Sequence, residues 1–439
     1  MSATFNSLRV SVAEQFKESV SEPSPNTKIY FTYGKSLAWA DENAPNTANV
    51  SISTEYELWD NMIGAKKITG SDLRHVIPRY NWSANTVYTA YTDTNLTLYN
   101  SNTKFYIVTS QNHIFKCLSN NNSANSTVEP SALNFNTTTT IVQDGYVWKY
   151  MYSLTDQELL RFTTPEYIPV KTLNSNDGST QWSVQTGAVD GGIFAAQIIS
   201  SGSGYTNSSN IVVTVNGDGS SAIATASINL SSNVVSNLTI TNPGSGYTYA
   251  TINISGGGGS GATARPIISP PGGHGSNPLY ELGGNTVLIN TRLINTEGAT
   301  IPVDHSYRQI GLVIDPRIFN STVISSNGVI EQTYQITTIG SGTYTVGEYV
   351  YQGANFDAST FSGVIIEDDA GTVKISNYRG VPTVGTLVGV SSGVVRYTTS
   401  NIVTPELTKY SGKVAYIDNI KPVTRDADQT EEYRIPIRF

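Results

Sequence analysis

A chain of 439 residues in which only 14% are charged is unusually neutral, because about 25% is ordinary for a globular protein. Lys plus Arg number 26 and Asp plus Glu 34, so the net charge is −8; with no basic excess and no basic run, nucleic-acid binding is disfavoured. The 10% aromatic content, with 26 tyrosines, excludes disorder. No stretch approaches about 18 uninterrupted apolar residues, which excludes a membrane-spanning helix, and Cys117 as the single cysteine excludes an internal disulfide and multi-cysteine zinc sites.

At roughly 150 residues per domain the length predicts about three domains. The opening MSATFNSLRVSVAEQFKESV lacks the basic start and apolar core of a secretory signal. The expectation is a protein made in a cytoplasm that stays there or leaves inside an assembly. Phe5, Leu8, Val12, Phe16 and Val20 recur near helical spacing and predict an amphipathic helix over residues 5–20. Next come short alternating runs separated by Gly, Asn, Ser and Pro, such as Lys28–Tyr33, Lys104–Thr109, Ile211–Val215 and Val234–Thr241, which read as strands and turns. Only two further helices are predicted, at 55–64 and 155–162. In the second, Thr155 as N-cap and Glu158 three residues on form a capping box.

The string GSGYT occurs at 202–206 and again at 244–248, each between two apolar strands, inside a glycine-rich stretch over 192–266. A second glycine-punctuated β stretch covers about 323–400. The predicted architecture is mainly β. A β-sandwich body with a few short helices is built from 1–185, 275–322 and 401–439, and it carries two inserted small all-β modules at 192–266 and 323–400. The chain end DQTEEYRIPIRF alternates apolar and polar residues and predicts an ordered strand, with Pro436 pointing to a sheet edge.

Catalytic chemistry is hard to assemble from this sequence. His113 and Cys117 lie four apart, but YIVTSQNHIFKCL is strand-like, so a buried apolar cysteine is the simpler reading. Asp304 and His305 are adjacent and would point to opposite faces of a strand. Gly256–Gly261 matches G-x-G-x-x-G, yet the prolines that follow forbid the helix a dinucleotide site needs. The carboxylates at Asp426, Asp428, Glu431 and Glu432, and those at Glu367–Asp369, lack calcium-loop spacing. The sequons at Asn81, Asn95, Asn136 and Asn237 are expected by chance in so Asn-, Ser- and Thr-rich a chain. The densest charged group is Asp72, Arg74, His75 and Arg79, which reads as a salt-bridged turn or a protein interface. No catalytic residue, cofactor or metal ligand is assigned. Few lysines and many tyrosines lower the cost of ordering side chains at an interface, so the composition points to a structural protein.

Several blocks resemble the baseplate wedge protein of T-even-like contractile-tailed phages, the gene product eight family. They are NTKIYFTYGKS at 26–36, ELWDNMIGAKKITGSDLRHVIPR at 57–79 followed by Asn81 and Trp82, QDGYVWKYMY at 143–152, residues 285–317 with YRQIGLVID at 307–315, and residues 411–439 with DQTEEYRIPIRF at the chain end. The two glycine-rich modules have no counterpart in the resemblance. The resemblance implies a non-catalytic virion protein that pairs as a homodimer, contacts other wedge proteins of the tail baseplate, and rearranges when the sheath contracts, with no nucleic-acid or membrane partner. Within these blocks and the charged cluster, Trp59, Arg74, His75, Arg79, Trp82, Trp148 and Tyr433 are the candidate interface residues. The alternative is a fibre or adhesin that binds a host glycan through its β modules, and a polysaccharide depolymerase ranks behind it.

Overall fold

The structure, a computed structural model, describes residues 5–23, 27–100, 102–131, 140–369 and 371–439. Asn26, which heads the first family-like block, and the sequon Asn136 lie outside them. Strand makes up 46% of the chain and helix 13%, which establishes the mainly β class. The first helix runs Asn6–Ser21, but its buried side chains are Val10, Ala13 and Val20, while Phe5, Leu8 and Val12 are exposed. Of the predicted apolar stripe, Val20 packs and Phe16 is half-buried, while its first three members face outward. The second helix, Ile52–Asn61, starts at the Ser51 N-cap, whose Oγ accepts from Thr54 N. It ends three residues before the predicted stop, because Met62–Ile68 is drawn into a ladder with Ile29–Gly34 and Val329–Glu331.

The third helix, Asp156–Phe162, starts where the capping box predicts. Glu158 N donates to Thr155 Oγ1 at 3.3 Å, and Thr155 N donates back to Glu158 Oε2 at 3.0 Å. Thr155→Ala is expected to cost about 1 kcal/mol of local helix stability, read as faster amide exchange confined to 156–162. Unchanged exchange there would sink the capping assignment.

The chain divides into two units. The first comprises Met1–Glu14, Arg74–Leu288 and Pro436–Phe439. Its body holds an antiparallel sheet in which Tyr106–Val108, His113–Asn120, Tyr146–Ser153 and Thr140–Gln143 lie side by side. Trp148, Tyr146, Phe115, Cys117 and Tyr88 pack together as one aromatic core. On this sheet Lys116 and Lys149 are opposite partners, and both side chains are buried.

The GSGYT stretch of this unit folds as two repeats that exchange strands. The first repeat supplies Ile193–Ser203, Ile211–Gly217 and Ser220–Asn229. The second supplies Val234–Ser245, Ala250–Gly256 and Ser260–Ile268. The first strand of each repeat pairs with the last strand of the other, and the two middle strands pair with each other. Tyr205 of the first GSGYT is buried against the second repeat's GGGSGA turn, where its hydroxyl accepts from Ala262 N at 3.4 Å. Tyr247 of the second GSGYT repeats this against the first repeat's GDGSSA turn, accepting from Ala222 N at 3.3 Å. Glycine is required at both turns. A Cβ on Gly259 would stand 2.4 Å from the Tyr205 ring, and one on Gly219 would stand 2.5 Å from the Tyr247 ring.

The second unit comprises Gln15–Leu73 and Ile289–Ile435. Its five-stranded sheet centres on Ile29–Gly34, flanked by Met62–Ile68 and His305–Ile314, with Tyr30 opposite Val313. Leu58, Trp59 and Leu407 pack with the sheet's own Tyr30 and Ile330. Six strands between Tyr334 and Val403 close into a barrel with a core of its own, including Ile336, Val350, Phe361, Ile375 and Leu387. Within that barrel the Arg396 guanidinium holds both oxygens of Asp368 at 2.6 and 2.7 Å. The closing strand, Glu431–Arg438, is ordered and lies at the edge of its sheet.

Candidate interface residues and the Tyr–Arg cleft

The structure disperses the seven candidate interface residues. Trp59, His75 and Trp148 are buried, so their contacts are internal; His75 Nδ1 lies 3.1 Å from the Gly284 carbonyl. Arg74, Arg79, Trp82 and Tyr433 are half-buried and keep an accessible part. Arg74 stacks over the Phe162 ring at 5.4 Å. Trp82 Nε1 donates to Ser126 Oγ at 3.2 Å. The Tyr433 ring lies 4.8 Å from Phe31, and its hydroxyl meets that of Tyr307. Asp72 closes its own turn by accepting from Thr69 N and Oγ1. The charged cluster seen in sequence is thus a string of residues with different partners.

Arg79 opens onto a cleft of about 380 Å³ in the first unit. Four separate segments and Arg438 build its walls: Pro78–Tyr80, residues 98–100 with 102–106, Pro165–Tyr167 and residues 282–286. The segment between the strands ending at Pro78 and beginning at Tyr106 is long and irregular, and it brings a run of rings to one wall. Tyr80 and Tyr106 are 5.3 Å apart, Tyr106 and Phe105 5.0 Å, and Phe105 and Tyr99 5.8 Å. Burial, with Glu281 nearby, pushes the Tyr99 hydroxyl up to about 12, so it stays a neutral donor. Among the residues of this cleft, sequence reasoning selected Arg79 alone. Tyr99 sits in a run without periodicity, and Arg438 meets it only through the fold.

The residues considered for catalysis are held in structural roles. Cys117 is fully buried, and burial raises its thiol well above the ordinary range, which makes it a poor nucleophile. His113 Nδ1 is paired with Ser153 Oγ at 2.6 Å. His305 is buried with Nδ1 3.3 Å from the Val303 carbonyl, and burial lowers it to about 4. Gly256–Gly261 leads into the strand Ser260–Ile268. Glu431 pairs with Arg425 and Glu432 with Arg292, and Glu367 pairs with Lys374. Among the described residues no group of three or more His, Cys, Asp or Glu side chains could hold a metal ion, and no helix is long and apolar enough to cross a membrane.

These features define a β-rich chain whose ionic side chains are largely spent on holding its own fold. Residues 3–125 match the family Phage-Gp8, described as Bacteriophage T4, Gp8, which is a family of structural baseplate proteins. The match covers less than a third of the chain. It includes the first two family-like blocks and one wall of the cleft; the blocks at 143–152, 307–315 and the chain end fall outside it. No curated protein matches the chain.

Proposed function

We propose that the chain is a structural subunit of a contractile phage-tail baseplate, a wedge component located in the virion and without catalytic activity. The observation that carries this reading is the family match over residues 3–125. The mainly β fold and the catalytic candidates turned inward agree with it. In this role the protein pairs as a homodimer, contacts other wedge proteins and takes part in the rearrangement that accompanies sheath contraction. The exchanged-repeat module and the barrel are additions to a body made of the remaining segments. Such a switch uses interfaces with two packings of similar energy rather than a deformable core.

Light scattering at several concentrations tests the reading. The expected mass is twice 47.3 kDa, unchanged on dilution, with co-purification of other baseplate proteins. A stable trimer would overturn it and favour a second reading, a fibre or adhesin that binds a host glycan. One observation supports that second reading. On the barrel, Phe356 packs 5.3 Å from Tyr349 and 6.1 Å from Tyr351, with Tyr349 and Phe356 more than a third exposed, and exposed rings are what sugars stack on. Glycan binding that is lost in Tyr349→Ala would establish it.

A further inference from the structure

We propose that the Tyr–Arg cleft is a recognition site for a carboxylate side chain presented on an extended segment of another protein. Arg265, Arg292, Arg308, Arg396, Arg425 and Arg434 each hold a carboxylate of this chain. The two arginines of the cleft do not, among the described residues. Arg79 gives Nε to Asn81 Oδ1 at 2.9 Å and Nη1 to the Thr164 carbonyl at 3.3 Å, which are neutral acceptors. Arg438 is exposed. Glu166 is the one acidic side chain on the same rim, so the side chains lining the cleft sum to an excess positive charge on a chain whose net charge is −8. A guanidinium fork matches a carboxylate geometrically as well as electrostatically.

Tyr80, Tyr99 and Tyr167 offer an apolar face and a hydroxyl each, and Tyr with Arg is the composition of interface anchors. A buried donor also waits beside the wall. Among the described residues Asn6 Nδ2 has no partner, while Asn6 Oδ1 accepts from Asn285 Nδ2 at 3.0 Å. A Cβ on Gly283 would lie 3.4 Å from that Nδ2 and 2.7 Å from Tyr99 Cδ1, so the wall is thin there because glycine occupies it. About 380 Å³ is near the lower end for ligand pockets and fits one or two side chains. Leu96, in the segment that supplies Tyr99, is 98% exposed and gives an apolar contact for the flanking residues of the same partner segment.

The test uses the full-length protein and two blocked peptides, Leu-Glu-Leu-Glu-Leu and its glutamine counterpart, titrated by calorimetry at low and high salt. The glutamate peptide should bind about tenfold more tightly than the glutamine one, and the difference should shrink at high salt. The double variant Arg79→Gln with Arg438→Gln should erase it, whereas Lys413→Gln with Lys421→Gln, exposed and outside the cleft, should leave it. Equal binding of the two peptides by the unaltered protein, or no binding of either, overturns the proposal without relying on any variant to fold. The site serves whichever protein supplies the segment. A negative result here therefore leaves the baseplate reading standing, and the solution mass decides that one separately.

Discussion

Glu281→Gln should destabilise the first unit by about 3–5 kcal/mol, the usual cost of stripping one partner from a buried ion pair. Lys116 and Lys149 face each other across neighbouring strands, each about 1% exposed. Like charges directly opposite repel, and Glu281 is the carboxylate set beside them. Its Oε2 accepts from Lys116 Nζ at 2.7 Å, while Oε1 accepts from Gly275 N at 2.7 Å and Asn277 N at 3.2 Å. The Tyr91 ring lies 4.3 Å from the Lys116 ammonium. Burial works to raise the Glu281 carboxyl, but Lys116 and His274 outweigh it and hold the group at about 2. Urea unfolding followed by near-ultraviolet circular dichroism would measure the loss. A change below 1 kcal/mol would mean that this cluster does not bear on stability.

The same cluster sets a pH dependence. Burial lowers His274 to about 4 from an ordinary 6.5. Between those values the unfolded chain binds a proton that the fold refuses, so stability falls as pH drops from about 6.5 towards 4. Burial lowers Lys149 to about 8 from 10.5. In that window the unfolded chain again holds the extra proton, so stability rises with pH above about 8. In Glu281→Gln the alkaline gain should be larger, because the attraction that keeps Lys116 charged is gone.

The second large effect concerns the exchanged repeats. Tyr205→Ala and Tyr247→Ala should each cost about 3–5 kcal/mol, as for other large buried aromatics, and the two costs should be similar because the two sites are copies. Gly219→Ala should clash with Tyr247, and Gly259→Ala with Tyr205. Tyr247→Ala should then relieve part of the Gly219→Ala cost, the Ser245 carbonyl remaining 2.6 Å from the new Cβ, and Tyr205→Ala should relieve none of it, which a double-mutant cycle resolves. Each tyrosine secures a turn of the opposite repeat, so loosening either should speed amide exchange through all of 193–268. Exchange that rises in one repeat alone would contradict the reciprocal packing.

What the sequence made legible was local. Thr155 and Glu158 cap a helix through bonds three residues apart, and the spacing announces them. The GSGYT strings are visible, and so is the β character around them. Their exchange is not, because GDGSSA and GGGSGA differ at two positions and each belongs to the other copy's tyrosine. Lys116 and Lys149 were passed over because charge ordinarily predicts exposure, and only the fold brings Glu281 to them. Trp59 and Trp148 stood out as interface anchors for the property, large aromatic area, that places them in the core. Arg79 was found from its charged neighbours, yet the residues that give it a cleft come from four distant segments.

The barrel over Tyr334–Val403 has a consequence of a different kind. A sheet that closes on itself leaves no row of unpaired backbone groups. No passing chain can extend it by a strand, however many copies are crowded together. The exposed valines and tyrosines on its outside, among them Val395 and Tyr397, can therefore meet neighbours by side-chain contact without seeding a fibril. The open edge at Glu431–Arg438 achieves the same protection by other means: Pro436 removes one donor, and Glu432, Arg434 and Arg438 line the rim with charge.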